Sequence, residues 1–364
     1  MAIPNLSPDL VTKKPARPAT ADLLALPTWV DYSTISTYIS CPYKALLQYG
    51  VSIKPDRTAI ELVFGGSIHF ALELAYQWRE RNRDASPADL RRIGFMAFIA
   101  YWEAFANEHL QRDDDMIFPR SPGNAKAMLL HYFQTHTTND RDLSLVGTEV
   151  PIEFLFKLTD SIYASTLSYI GRIDRIMRTD KDRLIAFEVK TSSVMSEAIF
   201  FGYHQSFQSD GYMRFLNSFA PLSQKEAPTL IYDILAVQKT ANVSLRKQIM
   251  KLPAQVEESF TTLGHWINAY YRDWLNMLDL IHSREEYLYD KTLHLPFFRR
   301  SKGTACTEYM RACPYADLCS ARANPLTYLQ SLPSGFRIEK WDPRNHERIT
   351  TQTLQEAAQT ILAS

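Results

Sequence analysis

Apolar residues recur along this chain with two different periods, and the changes of period mark its elements. Residues 32–40, Tyr-Ser-Thr-Ile-Ser-Thr-Tyr-Ile-Ser, read as a short capped helix running into Cys41. After Phe64-Gly65-Gly66-Ser67-Ile68-His69, the run Phe70-Ala71-Leu72-Glu73-Leu74-Ala75-Tyr76 has helical spacing. The paired glycines permit close backbone approach or a tight turn, which places His69 at the start of that helix. Residues 88–111, rich in Phe, Tyr and Trp, and residues 123–137 give two more helices. Strand-like runs follow at 145–157, 163–178 and 183–191, with Thr179-Asp180-Lys181-Asp182 as a hairpin turn between the last two. Residues 196–219 read as one helix despite Gly202 and Gly211. Residues 229–238 read as a buried strand, 253–282 as a long amphipathic helix and 350–363 as a short terminal helix.

Helices, then strands, then helix, strand and helix suit an α/β fold, a central mixed β-sheet flanked by helices. The proline-bearing residues 1–28 are expected to be a flexible arm. Residues 29–325 form a single expected domain: a helical subdomain at about 70–140, a sheet core at 145–240 and a cysteine segment at 300–320. Residues 326–364 are then a C-terminal extension.

Composition narrows the function classes. Forty basic residues balance forty acidic ones over 364 residues. There is no global cationic field, so contact with nucleic acid must come from local patches. No run of about 18 apolar residues suggests a membrane span. The first residues lack a signal-type apolar stretch and carry Lys13, Lys14 and Arg17, so a cytoplasmic protein is expected.

The chemistry concentrates at two places. Asp174 ends one strand-like run, and Glu188-Val189-Lys190 ends the next. Positions i and i+2 of a strand share a face, so Glu188 and Lys190 point the same way, and a paired strand can bring Asp174 beside them. Two carboxylates and an ammonium on one sheet face can hold a divalent metal and a water against a phosphodiester. A solvated strand face would carry the same short pattern.

The second place is the cysteines. Cys41 stands alone, and Cys306, Cys313 and Cys319 cluster late in a chain with no others. Cys41 and Cys313 each precede Pro-Tyr. Four thiolates suit an iron–sulfur cluster or a tetrahedral zinc, while four buried, unconnected thiols are the plain alternative. If all four hold one centre, residues 41 and 306–319 become neighbours and the centre staples the two ends of the domain.

Further residues join the trio: His69, Glu149 in the first strand, and Gln208 and Tyr212 at i and i+4 on one helix face. The order His69, Glu149, Asp174, Glu188, Lys190, Gln208, Tyr212, embraced by one early and three late cysteines, resembles the PD-(D/E)XK nuclease superfamily in its RecB-like branch. It is similar to the iron–sulfur members: CRISPR-associated RecB-like exonucleases, the AddB nuclease domain and phage exonucleases. The resemblance runs from about residue 33 to 320. It departs from the family at Cys306, which six intervening residues separate from Cys313 where two are common, and residues 70–140 carry no family motif.

The resemblance implies a restriction-endonuclease-like core with a helical insertion and an iron–sulfur staple. It implies a metal-dependent DNA exonuclease acting on single strands or free ends in repair, recombination, phage replication or CRISPR adaptation. Asp174, Glu188, the Val189 carbonyl and His69 would bind Mg²⁺ or Mn²⁺. Lys190 would orient the attacking water, with Gln208 and Tyr212 positioning it or the DNA, and Glu149 would stand behind them. Cys41, Cys306, Cys313 and Cys319 would hold a [4Fe-4S] cluster, with structural Zn²⁺ the alternative. A helicase, recombinase or CRISPR-associated protein is the partner class implied, and a catalytically silent DNA-binding or helicase-partner module is the rival function. Tyr38, Tyr43, Tyr203 and Phe207 are candidates for stacking on bases, and Arg299, Arg300 and Lys302 for meeting phosphates.

Overall fold

The computed structural model describes residues 24–56, 59–106, 117–159, 166–219, 229–307, 312–342 and 352–364. Most of the arm expected at 1–28 lies outside the described residues. The strands are β1 (Trp29–Asp31), β2 (Ile53–Pro55), β3 (Ser144–Lys157), β4 (Thr166–Arg178), β5 (Leu184–Ser192), β6 (Thr229–Ala236), β7 (Val243–Met250) and β8 (Phe336–Ile338). The α-helices are α1 (Tyr32–Ser40), α2 (Pro42–Ala45), α3 (Ile60–Arg81), α4 (Pro87–Phe105), α5 (Pro122–His136), α6 (Glu197–His204), α7 (Phe207–Phe219), α8 (Pro253–Ser283), α9 (Ala316–Ala321) and α10 (Gln352–Ala363). Among the described residues no helix is long and apolar enough to cross a membrane.

Two compact units emerge. One comprises Pro27–Ser36, Arg57–Arg272 and Asp342–Ser364. Its six-stranded sheet runs β1-β4-β5-β6-β7, with β3 also on β4. The β3–β4, β4–β5 and β6–β7 pairs are antiparallel, and β1–β4 and β5–β6 are parallel, so this is an α/β fold with a mixed central sheet flanked by helices. Helices α3, α4, α5 and α10 cover one face and bury Met177, Phe187, Val189 and Leu235 with Phe64, Phe98 and Phe133. Strand alternation sends Glu188 and Lys190 to the other face. There α7 lies against β5, its Gln208 bonded to both.

A buried ionic knot ties that sheet to its helices. Asp233 on β6 accepts from Arg175 at 2.8 Å, Arg246 at 2.6 Å and Tyr132 of α5 at 2.5 Å. Arg246 also pairs with Asp140, and Arg175 lies over the Tyr76 ring of α3. Burial opposes the Asp233 charge, but the two guanidiniums outweigh it and hold the carboxyl below its usual range.

The other unit comprises Leu24–Leu26, Thr37–Asp56 and Asp273–Trp341 among the described residues. It holds the short β2–β8 ribbon, α2, α9 and all four cysteines.

The departures from the sequence pattern have local causes. Gly65 and Gly66 form no turn; they lie inside α3, and His69 is mid-helix. A Cβ on Gly66 would sit 2.7 Å from the Tyr101 hydroxyl of α4, and one on Gly65 would sit 3.2 Å from Thr191 Oγ1 of β5. The glycines therefore let α3 approach its neighbours closely. The expected 196–219 helix is two, broken at Gln205-Ser206, where the Ser206 hydroxyl accepts from Ser209 N at 3.2 Å and begins α7. Strand β7 carried no sequence expectation: its Arg246-Lys247-Gln248 core looks polar, yet it pairs with β6 along its whole length.

Candidate active site

The site forms where β4 and β5 part. Their ladder ends at Arg175↔Phe187. The next residues in that register are Asp174 and Glu188. The same edge of β4 is taken over by β1 from Ile170 backwards. Between these ladders, Gly171–Asp174 has no strand on that edge among the described residues, and side chains take its place. Asp174 Oδ2 accepts from Val189 N at 2.7 Å, and the Arg172 carbonyl accepts from the Tyr212 hydroxyl at 2.5 Å. Those two bonds hold open the gap into which the site residues project.

Three potential ligands converge there. His69 Nδ1 lies 3.3 Å from Asp174 Oδ2, and ligand atoms of His69, Glu149 and Asp174 lie within 4.8 Å of one another. They line a small hollow with Leu72, Glu73, Thr148, Arg175 and Val189. Glu149 has φ +49°, in the left-handed region that a side chain rarely adopts, at a cost of about 1–3 kcal/mol. Just upstream, the β3–β4 register shifts between Leu145 and Gly147. The strained turn of the backbone sets Glu149 toward Asp174, with Arg172 3.7 Å from its carboxylate.

Glu188, Lys190, Gln208 and Tyr212 form one bonded chain. Lys190 Nζ donates to Glu188 Oε1 at 2.5 Å and to Gln208 Oε1 at 3.3 Å. Gln208 Nε2 donates to Glu188 Oε1 at 3.0 Å and to the Tyr212 hydroxyl at 2.9 Å. The second oxygen, Glu188 Oε2, is buried without a hydrogen-bond partner. A buried carboxylate oxygen left bare is costly, and a cation is the natural partner. Hard oxygens with one imidazole suit Mg²⁺ or Mn²⁺, so the residues present fit such an ion.

Electrostatics agree with the geometry. Burial, and then the Asp174 charge, push the Glu188 carboxyl up to about 7 against the pull of Lys190. Burial opposes the Lys190 charge, but Glu188 outweighs it and holds the ammonium well above its usual range. Burial raises the Tyr212 phenol, reinforced by Glu188 and Asp174, so it stays neutral.

The Glu188 shift has a measurable sign. Between its ordinary value of 4.5 and about 7, the unfolded chain gives up this proton while the folded chain keeps it. Stability of the metal-free protein should therefore fall as pH rises through that window and level off above it. Urea midpoints in EDTA from about pH 5 to about pH 7.5 should show this fall, and Glu188→Gln should lose it. Identical profiles for the two proteins would overturn the assignment.

Among the base-stacking candidates, Tyr38 and Tyr43 are buried. Tyr38 donates to Asp273 at 2.9 Å, and Tyr43 lies under Arg300. Neither face is open to a base, because their apolar rings fill their own unit's core. Tyr203 is stacked on Tyr232. Arg300 is spent on Tyr43 and the Arg322 carbonyl, which leaves it little for phosphates. Tyr232 is a site neighbour that no local sequence pattern marks; the β5–β6 register sets it beside Glu188.

The four cysteines are not gathered into a compact ligand group: no three thiols lie within 4.8 Å of one another. They are still within electrostatic reach. Burial raises the Cys319 thiol, Arg300 opposes this, and Cys41, Cys306 and Cys313 each push it further up. Cys313 N donates to the Cys306 carbonyl at 2.9 Å, which joins two of the three late cysteines through the backbone.

A family model for the PD-(D/E)XK nuclease superfamily matches residues 31–320, most of the chain and every residue of this site. The chain belongs to the PD-(D/E)XK nuclease superfamily. Membership makes it a nuclease by family, with DNA as the substrate that the family implies. No curated protein matches the chain. Among solved structures, "Crystal structure of SSO0001" is similar at 12% identity, over 70% of this chain and 85% of that one, with a TM-score of 0.23.

Proposed function

We propose that this protein is a metal-dependent DNA exonuclease of the RecB-like branch, carrying a [4Fe-4S] cluster. The observation that carries the nuclease reading is the gap between β4 and β5. There His69, Glu149 and Asp174 converge, and Glu188 offers a bare, buried oxygen beside Lys190. Asp174, Glu188, His69 and the Val189 carbonyl would hold Mg²⁺ or Mn²⁺, with Glu149 at its margin. Such an ion supplies Lewis acidity to a phosphoryl oxygen and lowers the pKa of a bound water.

The chain's own residues do the rest. Lys190, kept charged by Glu188, presents its ammonium to a non-bridging phosphate oxygen and to the attacking water. Gln208 binds both Glu188 and Lys190 and limits their swing, and Tyr212 fixes Gln208. Asp174 keeps its own orientation through Val189 N. Preference for single strands or free ends follows from the RecB-like resemblance, as do a helical insertion at about 70–140 and a helicase, recombinase or CRISPR-associated partner.

The cluster reading rests on the donor set. Four thiols from one unit share an electrostatic environment, yet they are spread more widely than one ion needs. Tetrahedral zinc with Zn–S of about 2.3 Å would hold its sulfurs roughly 3.8 Å apart. A [4Fe-4S] cluster is likewise held by four thiolates, and the one-plus-three cysteine layout of the RecB-like resemblance is what favours it.

One preparation tests both readings. Protein purified without oxygen should be brown, with broad visible absorbance that dithionite bleaches. It should degrade end-labelled DNA with Mg²⁺ or Mn²⁺ and not with EDTA, and labels at either end give the polarity. A colourless protein with stoichiometric zinc would overturn the cluster. Intact DNA in both metals would overturn the nuclease.

A further inference from the structure

Helix α6 stands out because it is apolar and yet has no buried residue. Its sequence is Glu-Ala-Ile-Phe-Phe-Gly-Tyr-His, and it begins seven residues beyond Lys190. Phe201 is 66% exposed, and Val194 just before the helix is 55% exposed. Contiguous exposed apolar surface rimmed by polar residues is the kind that marks a contact site.

The register places this helix beside the catalytic row. Glu188 pairs with Tyr232, and Tyr232 pairs with Lys247, so these three side chains share one sheet face across β5, β6 and β7. Neighbouring strands lie about 4.8 Å apart, so Lys247 is about 10 Å from Glu188 along the row. Helix α6 lies over that row. Tyr203 stacks on Tyr232 with ring centres 4.8 Å apart, and Lys247 Nζ sits 4.8 Å from the Phe200 ring. The Tyr203 carbonyl accepts from the Ser209 hydroxyl, which also meets Tyr232 at 2.8 Å. The polar anchor points inward, and Phe201 is left facing solvent.

We propose that α6 is a stacking platform for single-stranded DNA whose cleaved phosphate lies at Asp174, Glu188 and Lys190. This rests on the nuclease reading above. Phe201 takes an unpaired base on its ring, and Lys247 meets a phosphate of the same strand. Lys247 pairs with exposed Glu197 at 3.2 Å, an ion pair that costs little to give up. The occupant is a single strand because a duplex keeps its base faces stacked on one another and offers none to a ring. An aliphatic and aromatic surface ending in a lysine, continuous with a phosphodiester-cleaving row, matches that chemistry.

The test is fluorescence anisotropy in EDTA with labelled oligothymidylate and an abasic strand of equal length, using the full chain. Phe201→Ala should weaken oligothymidylate binding about 10-fold, the scale of one lost base stack. Phe201→Trp should bind at least as tightly as wild type, and all three proteins should bind the abasic strand alike. Unchanged binding of oligothymidylate by Phe201→Ala would overturn the platform, and so would an equal loss on both strands. Wild-type hydrolysis of a thymidine p-nitrophenyl phosphodiester with Mn²⁺ is read in parallel. Its absence removes the nuclease reading itself, whereas hydrolysis with unchanged binding removes only the platform.

Discussion

Lys190→Ala and Asp174→Asn should each lower DNA cleavage about 10³-fold or more, while the fold survives. The scale is that of losing one preorganised electrostatic or proton-handling group at a reacting phosphate. Lys190 is a cation whose charge the site enforces, since Glu188 holds it against burial. Its loss takes the ammonium from the phosphate and leaves the Glu188 carboxyl still harder to ionise, because Lys190 is what pulls that group down. Raising the pH returns the Glu188 charge but not the lost ammonium, so it should not restore the rate. Asparagine at 174 keeps an oxygen to accept from Val189 N, so the β4–β5 gap keeps its shape and only the carboxylate charge is lost. Single-turnover rates on an end-labelled strand with Mn²⁺, beside circular dichroism and a thermal midpoint, separate chemistry from folding. Cleavage within tenfold of wild type by either variant would remove these residues from the reaction.

Asp233→Ala should destabilise the protein by about 3–5 kcal/mol, the usual cost of breaking a buried ion pair from one side. Arg175 is almost wholly buried, and its guanidinium would lose its carboxylate. Arg246 would keep Asp140. The loss reaches the active site because Asp233 is in register with Val189, between Glu188 and Lys190. The same knot holds Arg175, the residue after Asp174. Denaturant midpoints read the stability directly. A loss under about 1 kcal/mol would show that the knot is not needed to hold the sheet together. Asp233→Asn, which keeps one acceptor oxygen but sets a donor NH2 where the other oxygen accepts, should lie between wild type and Asp233→Ala.

Much of this architecture follows from local pattern. The hairpin turn at Thr179–Asp182, the amphipathic α8 and the strands carrying Asp174 and Glu188 are each written in a short stretch of side chains, because strand and helix periods act over a few residues. The single helix expected at 196–219 failed for a local reason too: Ser206 starts a new helix more strongly than the apolar run continues the old one. The polar middle of β7 hid a strand because its Arg246 turns inward to meet Asp140 and Asp233, partners that belong to other elements.

The candidate site divides the same way. That Glu188 and Lys190 share a face is a property of any extended backbone, and the sequence alone determined it. Where Asp174 stands relative to them depends on β4 exchanging β5 for β1 along one edge, which no spacing within β4 announces. His69 reaches Asp174 from the middle of α3 only because Gly65 and Gly66 let that helix approach β5 and α4. Glu149 needs a left-handed backbone that its neighbours impose. Local periodicity determined which residues could act together, and long-range register and close packing decided which do, since a strand's partners and a helix's depth are set by contacts between elements far apart in the chain.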